Sequence, residues 1–190
     1  HPIALIFGLL SFVSYLVEGA VGDWSALYLF EDKGIVIEEA VMGVMLFNGT
    51  MCIGRLLGNR LGKHLTSKQV VVGGYLLGSI AMGLIVFLPG HASMYTYLLL
   101  GISLAMIVPN LFSAMGEQNV IPMTQAVATS TMLGYMGILM GPALIGFIAH
   151  GTSLTVAFIV LTTLLVVSAG IGKYAYHLMS KDCGLSEEQI

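Results

Sequence analysis

Residues 3–30 read IALIFGLLSFVSYLVEGAVGDWSALYLF, and the solvent that could accept this stretch decides the fold. It holds two charges, Glu18 and Asp23, over a length that as a helix exceeds the roughly 30 Å hydrocarbon thickness of a bilayer. Five more stretches have the same character: residues 39–61, 69–88, 92–115, 124–149 and 153–176. The whole chain is 57% hydrophobic and 9% charged, where a soluble domain carries about 25% charged residues. So few charges cannot cover a soluble surface. The expectation is an all-α integral membrane six-helix bundle over residues 1–176, followed by a tail over 177–190. The 24 glycines fit closely packed membrane helices, where small residues let backbones approach.

Charge placement gives an orientation. Arg55, Arg60, Lys63 and Lys68 cluster after the second stretch, and Lys173 and Lys181 follow the sixth; only Lys33 falls on the opposite side. Lys and Arg favour the cytoplasmic side of short loops, so both ends of this segment are expected in the cytoplasm, with the chain in the cytoplasmic (inner) membrane. Residues His1-Pro2 lead straight into an apolar stretch, which reads as a segment cut from a longer chain. Cys52 and Cys183 are expected to be free, with no Cys-based metal site. Trp24, Tyr28, Phe30, Tyr95 and Tyr97 are read as an aromatic belt at the outer interface.

The rare polar groups carry the functional question. At about 100° per residue, Ser11, Ser14, Tyr15, Glu18, Gly22 and Ser25 share one face of the first helix. Glu18 falls near mid-membrane, where a carboxylate costs several kcal/mol unless it is protonated, paired or hydrated. It is either a cavity-lining acid that binds substrate or a proton, or an acid held between helices by a hydroxyl or amide. Ser103, Asn110, Ser113 and Glu117 stack similarly on the fourth helix, and Pro109 breaks its backbone bonding. That stripe reads as a shaped site or as a packing kink. Asn48 is a ligand or the maker of one interhelical hydrogen bond. Gly134, Gly137 and Gly141 on the fifth helix mark either a rocking surface or tight packing, with Tyr135 beside them. The third and sixth helices carry neither charge nor amide over 70–88 and 154–172 and read as lipid-facing supports. A polar first and an apolar third member then repeat with a period of three helices.

The connection Gly54-Arg55-Leu56-Leu57-Gly58-Asn59-Arg60-Leu61-Gly62-Lys63-His64 resembles the major facilitator superfamily signature G-x-x-x-D-R-x-G-R-R. Arg60, Gly62 and Lys63 match it; Asn59 replaces its Asp, and Arg55 stands where its leading Gly belongs. Residues 107–113 (IVPNLFS) and 134–142 (GYMGILMGP) are similar to the fucose-permease-like branch of bacterial inner-membrane transporters. The resemblance implies half of a twelve-helix major facilitator fold, built from two three-helix inverted repeats, with this chain as the C-terminal half and an N-terminal six-helix half as its partner. It also implies a cytoplasmic gating network of Arg55, Asn59, Arg60, Lys63 and Glu117, in which Arg55 or Arg60 pairs with Glu117. Basic residues beside anionic headgroups are the other reading of that cluster.

The function expected is secondary active transport of a small solute by alternating access, coupled to protons. Glu18 is the proton or substrate carboxylate, and Asn48, Asn110, Ser113 and Tyr135 are the lining. No G-x-x-x-x-G-K-[ST] motif is present, so a gradient is the expected energy source. No cofactor, metal or nucleic-acid partner is expected. An intramembrane enzyme is the first rival class, but the five histidines lie in termini or loops and no second carboxylate shares the Glu18 face. A non-transporting membrane scaffold or regulatory subunit is the other alternative.

Overall fold

The computed structural model describes residues 2–61, 65–117 and 122–183. They form seven helices: α1 (Pro2–Glu31), α2 (Ile37–Leu61), α3 (Ser67–Phe87), α4 (Gly90–Leu104), α5 (Ile107–Glu117), α6 (Met123–Gly151) and α7 (Leu154–Cys183). No strand occurs among the described residues. Six spans are long and apolar enough to cross a membrane, α4 and α5 together making the fourth. The chain is therefore a six-helix membrane bundle. Helix α7 runs beyond residue 176 to Cys183, into the stretch expected as a tail.

Successive crossings alternate between two ends of the bundle. Pro2, Leu61, Ser67, Glu117 and Met123 mark one end; Lys33, Gly90 and Leu154 mark the other. The three most extensive helix contacts are α1 with α6, α3 with α7, and α2 with α4. Exchanging the first three crossings for the last three maps the α1–α6 pair onto the α4–α2 pair and the α3–α7 pair onto itself. The packing thus follows the period of three seen in the sequence.

The fourth crossing breaks where proline chemistry requires. Pro109 has no N–H for the Ala105 carbonyl one turn earlier, and the helix is interrupted at residues 105–106. Beyond the break, the Asn110 backbone N–H reaches the Met106 carbonyl at 3.2 Å, and its Nδ2 donates to the same oxygen at 2.8 Å.

Helix α1 runs through the centre, touching α6, α2, α7, α5 and α4. Lipid tails are as apolar as side chains, so close packing has to replace the hydrophobic drive between membrane helices. The parallel α1–α6 contact shows this most clearly. A methyl on Gly141 would stand 2.5 Å from the Leu16 carbonyl oxygen, and one on Gly137 closer still to that of Phe12. The glycine surface of the fifth crossing is a tight seam against α1. The Trp24 indole N–H pins it by donating to the Pro142 carbonyl at 2.9 Å.

Two aromatic assignments are corrected by the packing. Tyr28 and Tyr97 are fully buried, and Tyr28 stacks on Phe158 with ring centroids 4.3 Å apart. Phe30 and Tyr95 are exposed. The two tyrosines lie on the inward side of helices whose ends reach the interface, a distinction that distance along the sequence does not carry.

Lys33 clamps its end of the bundle. Its Nζ donates to the Val86 carbonyl at 2.6 Å and lies 5.3 Å from the centre of the Tyr28 ring. A cation there meets the carbonyls at the C-terminus of α3, the end at which positive charge is favoured. Burial pushes the Lys33 ammonium below its ordinary pKa, partly opposed by Asp32. Asp32 accepts a 2.8 Å bond from Thr155, tying the same loop to α7.

Candidate functional site

The stripe on α1 divides along its length. Ser11, Ser14 and Ser25 are buried, while Tyr15 and Glu18 are partly open and Gly22 is exposed. Ser11 faces Ser130 at 3.5 Å. Tyr75 donates its hydroxyl proton to the Leu10 carbonyl at 2.7 Å, so Ser14 is the donor in its 2.8 Å bond to Tyr75. The polar face is thus not a continuous open stripe: its serines are sealed into helix contacts. The burial boundary cuts through a single helical face because α3 and α6 cover one flank of it.

Glu18 keeps the open flank. It lies 16 residues into the 30 of α1, about 24 Å from that helix's start. Its carboxylate accepts from Arg55 Nη2 at 3.1 Å on Oε2 and 3.3 Å on Oε1. The Glu18 side chain is 21% exposed and that of Arg55 42%. This meets the requirement that a carboxylate in a membrane be paired. Arg55 lies six residues before the end of α2, about 9 Å in from that end, and its long side chain reaches Glu18 from there.

An aromatic pair adjoins the ion pair. Tyr15, one turn before Glu18, stacks on Tyr135 of α6 with centroids 6.4 Å apart and planes 8° apart. Gly134 permits this, since any side chain there would meet the Tyr15 ring. Tyr135 is 65% exposed. It forms one end of a 630 Å³ apolar groove along α6 that starts at Met123 and includes Val127 and Met132. Asn48 and Cys52 are exposed on α2, and with Arg55 they follow the i, i+4, i+7 spacing of one helical face.

The structure brings together Glu18, Tyr135 and Arg55, with Asn48 on the Arg55 face. Asn48 bonds its own helix, Nδ2 donating to the Val44 carbonyl at 3.0 Å. Asn110 belongs to a different contact: its side-chain oxygen accepts from Ser67, the first residue of α3, at 3.2 Å. That bond and its bond to Met106 make it a brace at the Pro2 end. Ser113 is exposed on α5, on the side of Pro109 and Gly116, and Glu117 is exposed at the helix end. Glu117 was expected to pair with Arg55 or Arg60, and of these Arg55 binds Glu18 instead. The side chains of Asn59 and Arg60, and residue Lys63, lie outside the described residues.

Two participants escaped the sequence reading: Arg55 as a partner of Glu18, and Tyr15 as the stacking partner of Tyr135. The helical spacing of Asn48, Cys52 and Arg55 was the available signal for the first. Among the described residues, no group of three or more His, Cys, Asp or Glu could hold a metal ion.

No family model matches the chain. It is 41% identical over 168 residues, 87% of its length, to an uncharacterized MFS-type transporter of Yersinia pestis, of which it covers 43%. It is 30% identical over 88% of its length to the membrane protein MosC of Rhizobium meliloti, covering 42% of that protein. An uncharacterized transporter of Sinorhizobium fredii is 28% identical over 82% of the chain, with 41% of its own length covered. The chain thus spans less than half the length of these relatives. Six membrane-length helices and this likeness together show that the chain belongs to the MFS-type transporters, the major facilitator superfamily.

Proposed function

We propose that this chain is the C-terminal half of a secondary active transporter, which moves a small solute by alternating access and is driven by protons. The observation that carries this reading is the Glu18–Arg55 pair near mid-membrane, on a flank that the six helices leave open. A pair that these six helices leave partly uncovered can exchange partners with a solute and a proton. Such sites occur between repeats of transporters near the bilayer midplane. The role is non-enzymatic, the membrane is the cytoplasmic (inner) one, and the Pro2 end of the bundle faces the cytoplasm.

Glu18 is the proton carrier, with Arg55 as its resting partner. Tyr135 and Asn48 line the solute path, and Ser113 follows it toward the Pro2 end. Arg60, Lys63, Asn59 and Glu117 form the gate. The tight glycine seam makes α1 and α6 move as one body, so rocking takes place against the N-terminal half.

The test uses the full-length protein in proteoliposomes. Solutes that raise its melting temperature at two pH values are selected first, since a ligand of the folded state stabilises it by mass action. Wild type should accumulate such a solute under an imposed proton gradient. Glu18→Gln should lose accumulation and retain counterflow exchange. Accumulation unchanged in Glu18→Gln removes the proton assignment, and no movement of any stabilising solute removes the carrier reading.

A further inference from the structure

Every exposed residue of α7 from Val156 to Lys181 falls within about 60° of Gly170 around the helix axis. This single strip changes character at Gly170. Before it stand Val156, Ile159, Val166 and Val167, with Thr163 turning its hydroxyl back to the Ile159 carbonyl at 2.9 Å. After it stand Lys173, Tyr174, His177 and Lys181. Lys173 comes 19 residues after Leu154, the start of α7, about 28 Å along the helix. The hydrocarbon of a bilayer is roughly 30 Å thick, so the cations begin where acyl chains give way to headgroups. A hollow of 390 Å³ lies at that boundary, lined by Gly170, Lys173, Tyr174 and His177. A methyl on Gly170 would meet nothing within 4 Å. Among the described residues, no carboxylate pairs with Lys173.

We propose that this hollow seats an anionic phospholipid of the leaflet at the Pro2 end of the bundle. Its phosphate sits on the Lys173 ammonium and the Tyr174 hydroxyl, its glycerol lies over Gly170, and an acyl chain runs along Val166 and Ile159. In the orientation given above that leaflet is the cytoplasmic one, which carries anionic lipids. A phospholipid supplies apolar chains and a negative charge in the order in which the strip presents their complements. An aqueous phosphate supplies only the second. The tyrosine fits the same place, since its ring and hydroxyl suit the membrane–water interface.

The test reads lipid occupancy at this spot in the full-length protein, with native cysteines replaced by serine and a bimane label on Val166→Cys. Quenching by brominated phosphatidylglycerol is compared with quenching by brominated phosphatidylcholine of the same chains in reconstituted bilayers. The anionic lipid should be favoured about fivefold, the share of one basic side chain at a membrane surface. Lys173→Gln should bring the ratio close to one, and Lys173→Arg should keep it. Gly170→Leu, which fills the hollow and alters no charge, should also lower the ratio. Added glycerol 3-phosphate should leave it unchanged. Equal quenching by the two lipids, or a preference untouched by Lys173→Gln, would overturn the proposal. So would a preference kept in full by Gly170→Leu, which would mean attraction to surface charge without a seat. Loss of the preference to glycerol 3-phosphate would make the occupant a soluble phosphate and overturn it as well. Transport takes no part in this readout, so failure here leaves the carrier reading untouched.

Discussion

Arg55 Nη2 stands 3.1 Å from Glu18 Oε2, joining α2 to α1 near the middle of the bundle although the two residues are 37 positions apart. The pair is partly open, so its worth lies between that of surface pairs and sealed ones, about 1–2 kcal/mol. Arg55→Gln alone should lower stability by about that amount, because it leaves a membrane carboxylate without its partner. The double variant Glu18→Gln with Arg55→Gln should recover much of the loss. Equilibrium unfolding in detergent across the double-mutant cycle measures the coupling; strictly additive losses would show that the two charges do not depend on one another.

The α1–α6 seam predicts a positional contrast among glycines. Gly141→Ala places a methyl against the Leu16 backbone, which cannot swing aside as a side chain can, and should cost about 1–3 kcal/mol. Gly170→Ala meets open space on α7 and should be neutral or slightly stabilising. Melting temperatures of the two variants check this, and equal shifts would contradict the close contact.

Tyr75→Phe removes one hydroxyl from the Ser14–Tyr75–Leu10 relay while leaving the ring in its buried slot. Interhelical hydrogen bonds in membranes average about 0.6 kcal/mol and reach about 1.7, so a loss within that range is expected. Ser14→Ala in the same background should add little, since Ser14 has already lost its acceptor. A second full-sized loss would mean that Ser14 bonds elsewhere.

Lys33 predicts a pH dependence at the opposite end of the bundle. Its folded pKa lies below the ordinary 10.5 because burial disfavours the charged form. Between the two values the unfolded chain binds more protons than the folded one, so this group makes stability rise with pH there. The gain is complete above 10.5 and absent well below the folded value. Lys33→Met should flatten the rise in melting temperature across this alkaline window. An unchanged slope would show that burial does not act on Lys33.

The long apolar stretches determined six crossings, because the bilayer leaves a backbone few options and its thickness sets the length. Pro109 foretold the break in the fourth crossing, and the glycines of residues 134–141 foretold a contact surface. These are local consequences of missing atoms: a missing N–H in one case and missing side chains in the other. Glu18 stood out from sequence because a charge near mid-membrane is costly wherever its partner lies. The three-dimensional packing alone decided which flank of the serine stripe was sealed, that Tyr28 and Tyr97 point inward, that Asn110 braces Ser67, and that Arg55 serves Glu18. Each of these depends on which neighbour occupies a given angle around a helix. Helical periodicity fixes the angles within one helix; the rotation of one helix against another is set by side chains far apart in the chain, such as Gly141 against Leu16.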